Sequence, residues 1–303
     1  MRFLFVIDPL EQLKKETDTS IALMRESLMR GHEVWHCNTV FWQEKILARA
    51  WEADKDMRTA QESVVPVSDF DAVLMRLEPP YDLHYHYITL LLDLADTLVL
   101  NRPQALRDAN EKLAALLFPA LIPATLVSRD ADSVVAFVKK HGKAVLKPIH
   151  LFGGQGVTLV EAADEPDDRL QPKVEHYTKD GFCIAQEFLP GVYKGDKRVM
   201  MLDGKLLGAI RRVPQEGEFR ANMVIGGKAE HIELDDDLRI VGEVGPWLRE
   251  SGIFLAGLDI IDGKLIEINV TCPTGIVPIA NFTGRNVAGE IVTALEQKVL
   301  MRT

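Results

Sequence analysis

Four stretches of this chain combine residue types that could do chemistry. In the first, Leu146-Lys147-Pro148 runs into a glycine-rich segment carrying Gly153, Gly154 and Gly156. Glycines let backbone N–H groups come close to phosphate oxygens, and a lysine adds positive charge there. The segment is not a Walker loop, because no Gly-Lys-Ser/Thr opens a helix. A plain hairpin with a glycine-rich turn is the alternative. In the second stretch, Asp259, Glu267 and Asn269 supply hard oxygens suited to Mg²⁺, which commonly also takes oxygens from nucleotide phosphates. Glu267 and Asn269 stand two apart on a strand and share a face. A strict two-residue turn at Asp262-Gly263 would pair Asp259 with Ile266 and send Asp259 to the other face. The triad therefore predicts a loop of odd length, such as a three-residue turn with Gly263 left-handed. A solvated strand face is the alternative.

The third stretch is a basic island. Between Gly191 and Lys228 there are eight basic residues (Lys194, Lys197, Arg198, Lys205, Arg211, Arg212, Arg220 and Lys228) and four acidic ones. The whole chain runs the other way, with 35 basic and 45 acidic residues. Such an island suits a polyanionic substrate, and Arg198 and Arg212 lie within apolar, strand-like segments rather than on a plainly solvated face. The fourth stretch is the long loop 214–229, rich in Gly, Asn and charge, with Arg220 near its centre. Loops of that length are usually functional or disordered, and a lid over a reactive intermediate is the functional reading.

These side chains must be positioned by alternating elements. Phe3–Ile7, Phe70–Leu77 and Thr97–Asn101 read as buried strands. A helix is expected over 21–30, with its N-cap in Asp18-Thr19-Ser20 and its stop at Gly31. Another is expected over 107–118, where Asp108 and Glu111 have capping-box spacing. Strands alternating with helices signal a parallel α/β layer. From about residue 120 strands and hairpins dominate. The segments are 143–148, 157–161, 182–189, 198–202 with 205–213 across Asp203-Gly204, and 254–261 with 264–270. Helices fill 236–250 and about 286–299.

Bulk composition is consistent with this layout. A chain of 303 residues exceeds one ordinary core, so two or three α/β units are expected. Hydrophobic residues make up 47% and charged residues 26%, as in a soluble globular protein. The net charge of −10 argues against nucleic-acid and membrane partners. Three scattered cysteines without a Cys-x-x-Cys pair fit a reducing compartment. The apolar run at the start is too short for a signal peptide, and Asp93 and Asp96 interrupt the one at 88–100. A cytoplasmic protein is the expectation.

The stretches VLMRLEPPYD, LNRPQALRDANEKL, VLKP, IAQEFLP, KGDKRVMMLDGK, RRVPQEGEFRAN and GLDIIDGKLIEINVTCPTGI resemble bacterial glutathione synthetases, enzymes of the ATP-grasp superfamily. They occur in the family's order along nearly the whole chain. The resemblance implies an N-terminal parallel α/β domain followed by an ATP-grasp fold of two α+β subdomains. The expected boundaries are 1–118, 119–190 and 191–303, with a mobile loop at 214–228. It implies ATP as co-substrate, Mg²⁺ or Mn²⁺, and ligation of γ-glutamylcysteine to glycine through an acyl phosphate. By family position Lys112, Lys147, Gly153, Gly154, Gln186, Glu187, Phe188, Leu189 and Asp196 would contact nucleotide. Asp259, Glu267 and Asn269 would hold the metal, and Arg198, Arg212 and Arg220 would act on the phosphates and substrate. Asp18, Ser20, Arg76, Glu78 and Lys228 would lie near the acyl substrate. A homodimer or homotetramer is implied.

The chain departs from the family pattern at Glu16-Thr17, Glu78, His150-Leu151, Lys228 and Cys272. No metal position is lost. Two readings stand beside the main one: an ATP-grasp ligase for another acyl and amine pair, and a nucleotide-binding regulator without chemistry.

Overall fold

The structure is a computed structural model, and it describes residues 1–58, 61–163, 167–179, 181–215, 227–234 and 237–302. Three sheets organise these residues.

The first sheet has seven strands: β1 (Arg2–Val6), β2 (Glu33–Cys37), β3 (Val40–Gln43), β4 (Lys45–Glu52), β5 (Ser63–Pro66), β6 (Ala72–Met75) and β7 (Leu98–Leu100). Its order is β3-β4-β2-β1-β6-β7, with β5 beside β4. The β2-β1-β6-β7 part is parallel, and its central strands are continuous apolar runs because both faces are covered. The antiparallel extension through β3, β4 and β5 widens the expected parallel layer. Helix α1 (Thr19–Met29) begins where the Asp18 carboxylate accepts from the Ile21 N–H at 2.9 Å. Helix α2 (Leu83–Leu92) is capped in the same way by Asp82.

The expected helix over 107–118 does not form. Helix α3 (Pro103–Asp108) ends where that helix should begin, and only a 3₁₀ turn follows at Ala114–Leu117. Glu111 caps nothing. Its side chain is drawn to the third sheet by backbone donors there.

The second sheet contains β8 (Thr125–Ser128), β9 (Lys143–Pro148), β10 (Thr158–Glu161) and β11 (Cys183–Glu187), in the antiparallel order β10-β9-β11-β8. Helices α4 (Ala131–His141) and α5 (Asp167–Thr178) cover it. Its buried cluster, built around Val134, Val138, Leu146 and Val174, is its own.

The third sheet contains β12 (Asp196–Leu202), β13 (Lys205–Val213), β14 (Lys228–His231), β15 (Leu255–Ile261) and β16 (Lys264–Asn269), in the order β14-β13-β12-β15-β16. Helices α6 (Leu238–Ser251), α7 (Ile276–Thr283) and α8 (Val287–Arg302) complete the unit. Two large clusters of buried side chains run through both the first and third sheets. One joins Val6 and Met75 to Val199 and Ile268; the other joins Phe5 and Leu74 to Met200 and Leu255. Asn101 bridges the same boundary. Its amide nitrogen donates to Leu255 O and Val270 O, and its oxygen accepts from Phe254 N and Leu255 N.

The β15–β16 hairpin corrects the expected turn. Ile261 pairs with Lys264, so the turn has two residues, and Asp262 (φ 49°) and Gly263 (φ 69°) are both left-handed. That is the type I′ pattern whose twist suits a hairpin. A bulge at Ile266 then restores the register, and Asp259 stands opposite Glu267. The shared face comes from an extra residue in the strand, not from the loop.

Candidate active site

The second and third sheets face one another across a cavity. One wall is lined by Val145, Lys147, Ile184 and Gln186, together with Glu187, Phe188 and Leu189 at the end of β11. Gly153 and Gly154, both with positive φ, and Leu151 close it from above. The other wall carries Asp196, Arg212, Asp259, Ile261, Ile266 and Glu267. Lys112, Ala115, Leu116 and Ile122, on the segment between α3 and β8, also line it.

On the first wall, Lys147 Nζ donates to Gln186 Oε1 at 2.7 Å, and Gln186 Nε2 donates in turn to Thr125 Oγ1 at 3.0 Å. Burial pushes the Lys147 ammonium down to about 8, although Glu267 opposes the shift. Phe188 packs edge-on against Tyr193 with centroids 5.8 Å apart. The Glu187 N–H bonds to Ala124 O, and the Phe188 N–H bonds to Lys143 O. These bonds fix the strand end beside the cavity.

On the second wall four charges interlock. Arg198 Nε and Nη2 reach Asp259 Oδ1 and Oδ2 at 2.6 and 3.1 Å. Arg212 Nη2 reaches Asp259 Oδ2 at 2.9 Å and Asp196 Oδ2 at 2.5 Å, and Arg212 Nε reaches Asp196 Oδ1 at 2.7 Å. Relative exposures are only 8, 6, 5 and 5% for Asp196, Arg198, Arg212 and Asp259, so each charge depends on its partners. Burial would raise the Asp259 carboxyl, but the two guanidiniums outweigh it and hold the group well below the usual range. Burial prevails at Asp196, which is raised despite Arg212.

The register explains this clustering. Arg198 pairs with Asp259 across β12–β15, and Asp196 pairs with Arg212 across β12–β13. Gly257 makes room for it. A Cβ there would lie 3.0 Å from Arg198 Cδ, on the path the guanidinium takes to Asp259.

Glu267 Oε1 lies 3.5 Å from Lys112 Nζ, which also donates to Leu151 O of the glycine-rich turn. Asn269 shares the strand face with Glu267 but lies beyond the cavity lining, and its Nδ2 donates to Gly257 O at 3.2 Å. Lys228 is exposed at the start of β14, opposite Val213, and does not line the cavity. Arg220 and most of the 214–228 loop lie outside the described residues.

Besides Lys228, the four other residues expected near an acyl substrate separate by role. Asp18 caps α1. Ser20 Oγ accepts from Arg76 Nε at 2.9 Å, and Arg76 Nη2 donates to Pro273 O at 3.0 Å and Cys272 Sγ at 3.3 Å. Glu78 is exposed, with its N–H on Asp8 Oδ2. Although the residue as a whole is exposed, partial desolvation of its carboxyl against the neighbouring chain, with the nearby Asp18 and Asp8, raises the group.

Sequence reasoning missed Glu111. Its Oε1 accepts from Val270 N at 2.8 Å, Thr271 N at 2.9 Å and Thr271 Oγ1 at 2.8 Å. Its spacing from Asp108 suggested a cap, and nothing local pointed to β16. Phe188 and Leu189 apart, sequence reasoning also missed the apolar lining of the cavity, including Ile266, whose exposure there depends on the bulge.

Comparison with known proteins follows the same division. The prokaryotic glutathione synthetase N-terminal domain family matches residues 1–107, and the prokaryotic glutathione synthetase ATP-grasp domain family matches residues 111–284. A glutathione synthetase from Prochlorococcus marinus is 39% identical over 97% of this chain and 98% of its own. One from Synechococcus elongatus is 37% identical over 99% of both chains. The ATP-grasp ligase PsnB, solved with a minimal precursor, shares the fold at a TM-score of 0.65 and 21% identity over 99% of both chains. Matches to both domain families along the chain, with relatives of this identity and coverage, show that the chain belongs to the prokaryotic glutathione synthetase family of ATP-grasp carbon–nitrogen ligases.

Proposed function

We propose that the chain joins the cysteinyl carboxylate of γ-glutamylcysteine to the amine of glycine at the expense of ATP. The observation that carries this reading is the facing of two walls. One bears an ammonium at a glycine-rich turn, and the other a buried set of arginines and carboxylates. Strand end 186–189 takes adenine. Lys112, Lys147 and the backbone at Gly153 and Gly154 take the phosphates. The acyl carboxylate attacks the γ-phosphorus and ADP leaves. The glycine amine then adds to the acyl phosphate carbonyl, loses a proton, and expels inorganic phosphate.

The protein's share of this chemistry is positioning and charge neutralisation. Arg198 and Arg212 are held flat by their carboxylate partners, so they offer fixed positive charge without reorganisation. The 214–228 loop, with Arg220 and Lys228, excludes water from the acyl phosphate. Ser20 and Arg76, joined to each other, serve the acyl substrate together with Asp18 and Glu78.

The residues fit a hard divalent cation, Mg²⁺ or Mn²⁺. Asp259 and Glu267 stand directly opposite on one face, with Arg198 and Arg212 paired to Asp259 and Lys112 beside Glu267. The Asn269 amide nitrogen is committed to Gly257, which leaves its oxygen as the available ligand. These three would hold the cation, which when bound neutralises phosphate charge.

Among the described residues no helix is long and apolar enough to cross a membrane. Cys37, Cys183 and Cys272 are free thiols, which supports a reducing, cytoplasmic setting. Leu83, Tyr87 and Leu90 form an exposed apolar stripe along α2 and support a homodimer or homotetramer.

ADP release measured with γ-glutamylcysteine and glycine, against other acyl and amine pairs, tests the reading. Turnover is expected with the named pair. Turnover with other pairs and none with glycine would replace it with a ligase of different substrates.

A further inference from the structure

We propose that Glu111 is a positioning residue that substitutes for a missing strand beside β16 and so sets the orientation of Glu267, which lines the nucleotide cavity, and of Asn269 on the same face just beyond it. The inference rests on the metal reading above and extends it to a residue outside the cavity.

Strand β16 lies at the edge of its sheet, so its outward N–H groups have no strand to pair with. Those groups flank the two candidate ligands. The Ile268 N–H, between Glu267 and Asn269, donates to Glu111 O at 2.9 Å. Beyond Asn269, the Val270 and Thr271 N–H groups and the Thr271 hydroxyl converge on Glu111 Oε1 at 2.8, 2.9 and 2.8 Å. A single residue therefore accepts from the backbone on both sides of Asn269. Further back, the Leu265 N–H donates to Leu121 O, so the 111–121 segment covers the whole edge.

The next residue extends the grip. Lys112 Nζ reaches Glu267 Oε1 from the cavity side and bonds to Leu151 O of the glycine-rich turn. Glu111 thus fixes the backbone of β16, and Lys112 meets a side chain of the same strand. A glutamate placed only to cover an edge gains nothing from converging on the N–H groups beside the ligands. One placed to aim them does, because such outer partners set ligand orientation.

Calorimetric titration of the whole protein with ADP, with and without Mg²⁺, tests this without either the acyl or the amine substrate. A wrong assignment of that substrate pair leaves the result standing. In Glu111→Ala, metal-free ADP affinity should stay near the wild-type value, because the adenine strand is untouched. The gain in affinity that Mg²⁺ brings should fall roughly 10-fold. Glu111→Gln keeps an acceptor oxygen and Thr271→Val keeps two of the three carboxylate bonds, so both should show smaller losses confined to the Mg²⁺-dependent gain. If Glu111→Ala does not fold, these two carry the test. Equal loss with and without Mg²⁺, an undiminished gain, or a wild-type protein whose ADP affinity ignores Mg²⁺ would each overturn the proposal.

Discussion

The two walls of the cavity solve the problem of holding a polyanion by opposite means. On the second sheet the one cavity-facing ammonium, Lys147, rests on a neutral amide and is shifted down to about 8. Around it that wall mixes apolar side chains with Thr125, Gln186 and Glu187. On the third sheet four buried charges neutralise one another, and the titration of Arg212 and Asp259 is pushed away from the physiological range. A buried ion pair is costly to assemble but more costly to break, because removing one partner strands the other. The first wall therefore keeps its charge adjustable, and the second keeps its charges fixed. A site that must admit ATP, bind it and release ADP benefits from having one of each.

The largest effect should come from breaking the fixed wall. Asp259→Ala leaves Arg198 and Arg212 without their shared partner, so it should abolish turnover and lower stability by about 3–5 kcal/mol. Urea unfolding read beside ADP release checks both halves, and lost turnover at wild-type stability would show that the pairing is not structural. Lys147→Met should act on binding alone. It removes one charge-assisted contact worth about 1.5–3 kcal/mol, which weakens nucleotide roughly 10- to 100-fold with stability unchanged or raised.

The pH dependence follows from the same lysine. Its folded value, about 8, lies below the ordinary 10.5. The folded protein therefore disfavours the charge, and stability gains as pH rises from about 8 towards 10.5. Nucleotide affinity should move the other way and fall above about 8, with the break absent in Lys147→Met. Gly257→Ala should be milder. Its Cβ would crowd Arg198 Cδ at 3.0 Å and tilt the guanidinium off Asp259. Turnover should drop about 10-fold with nucleotide affinity retained, as for a lost transition-state contact. Smallest at neutral pH is Gln186→Glu, which gives Lys147 a charged partner. The affinity break should move upward by roughly one pH unit. An unmoved break would mean that burial alone sets the lysine.

Sequence alone revealed the elements that chemistry and hairpins mark, and misjudged those set by distant partners. Lys147 before its glycines, the Asp203-Gly204 turn and the α1 cap at Asp18 are local signals, and local signals survive folding. The helix over 107–118 failed because Glu111 and the residues after it are claimed by β16, a contact some 160 residues away. The shared face of Asp259 and Glu267 is expected correctly from the sequence, but for the wrong reason. A bulge has no composition of its own, and only the register shows that Ile266 is the extra residue. The pairing of Arg198 and Arg212 with Asp259 and Asp196 was likewise illegible, since a basic island does not say which carboxylates lie across the sheet.

Asn101 carries a mechanical consequence. Its side chain makes four bonds to the start of β15 and the end of β16, and two hydrophobic clusters pass through the same boundary. Prying the first sheet from the third would break all of these together. The four-stranded unit instead carries a private interior and meets the rest through lighter fastenings, such as the Gly191 N–H on Asp262 and Lys112 on Leu151. Should the cavity open for a nucleotide, these fastenings leave that unit to swing, with the other two sheets together as the anvil.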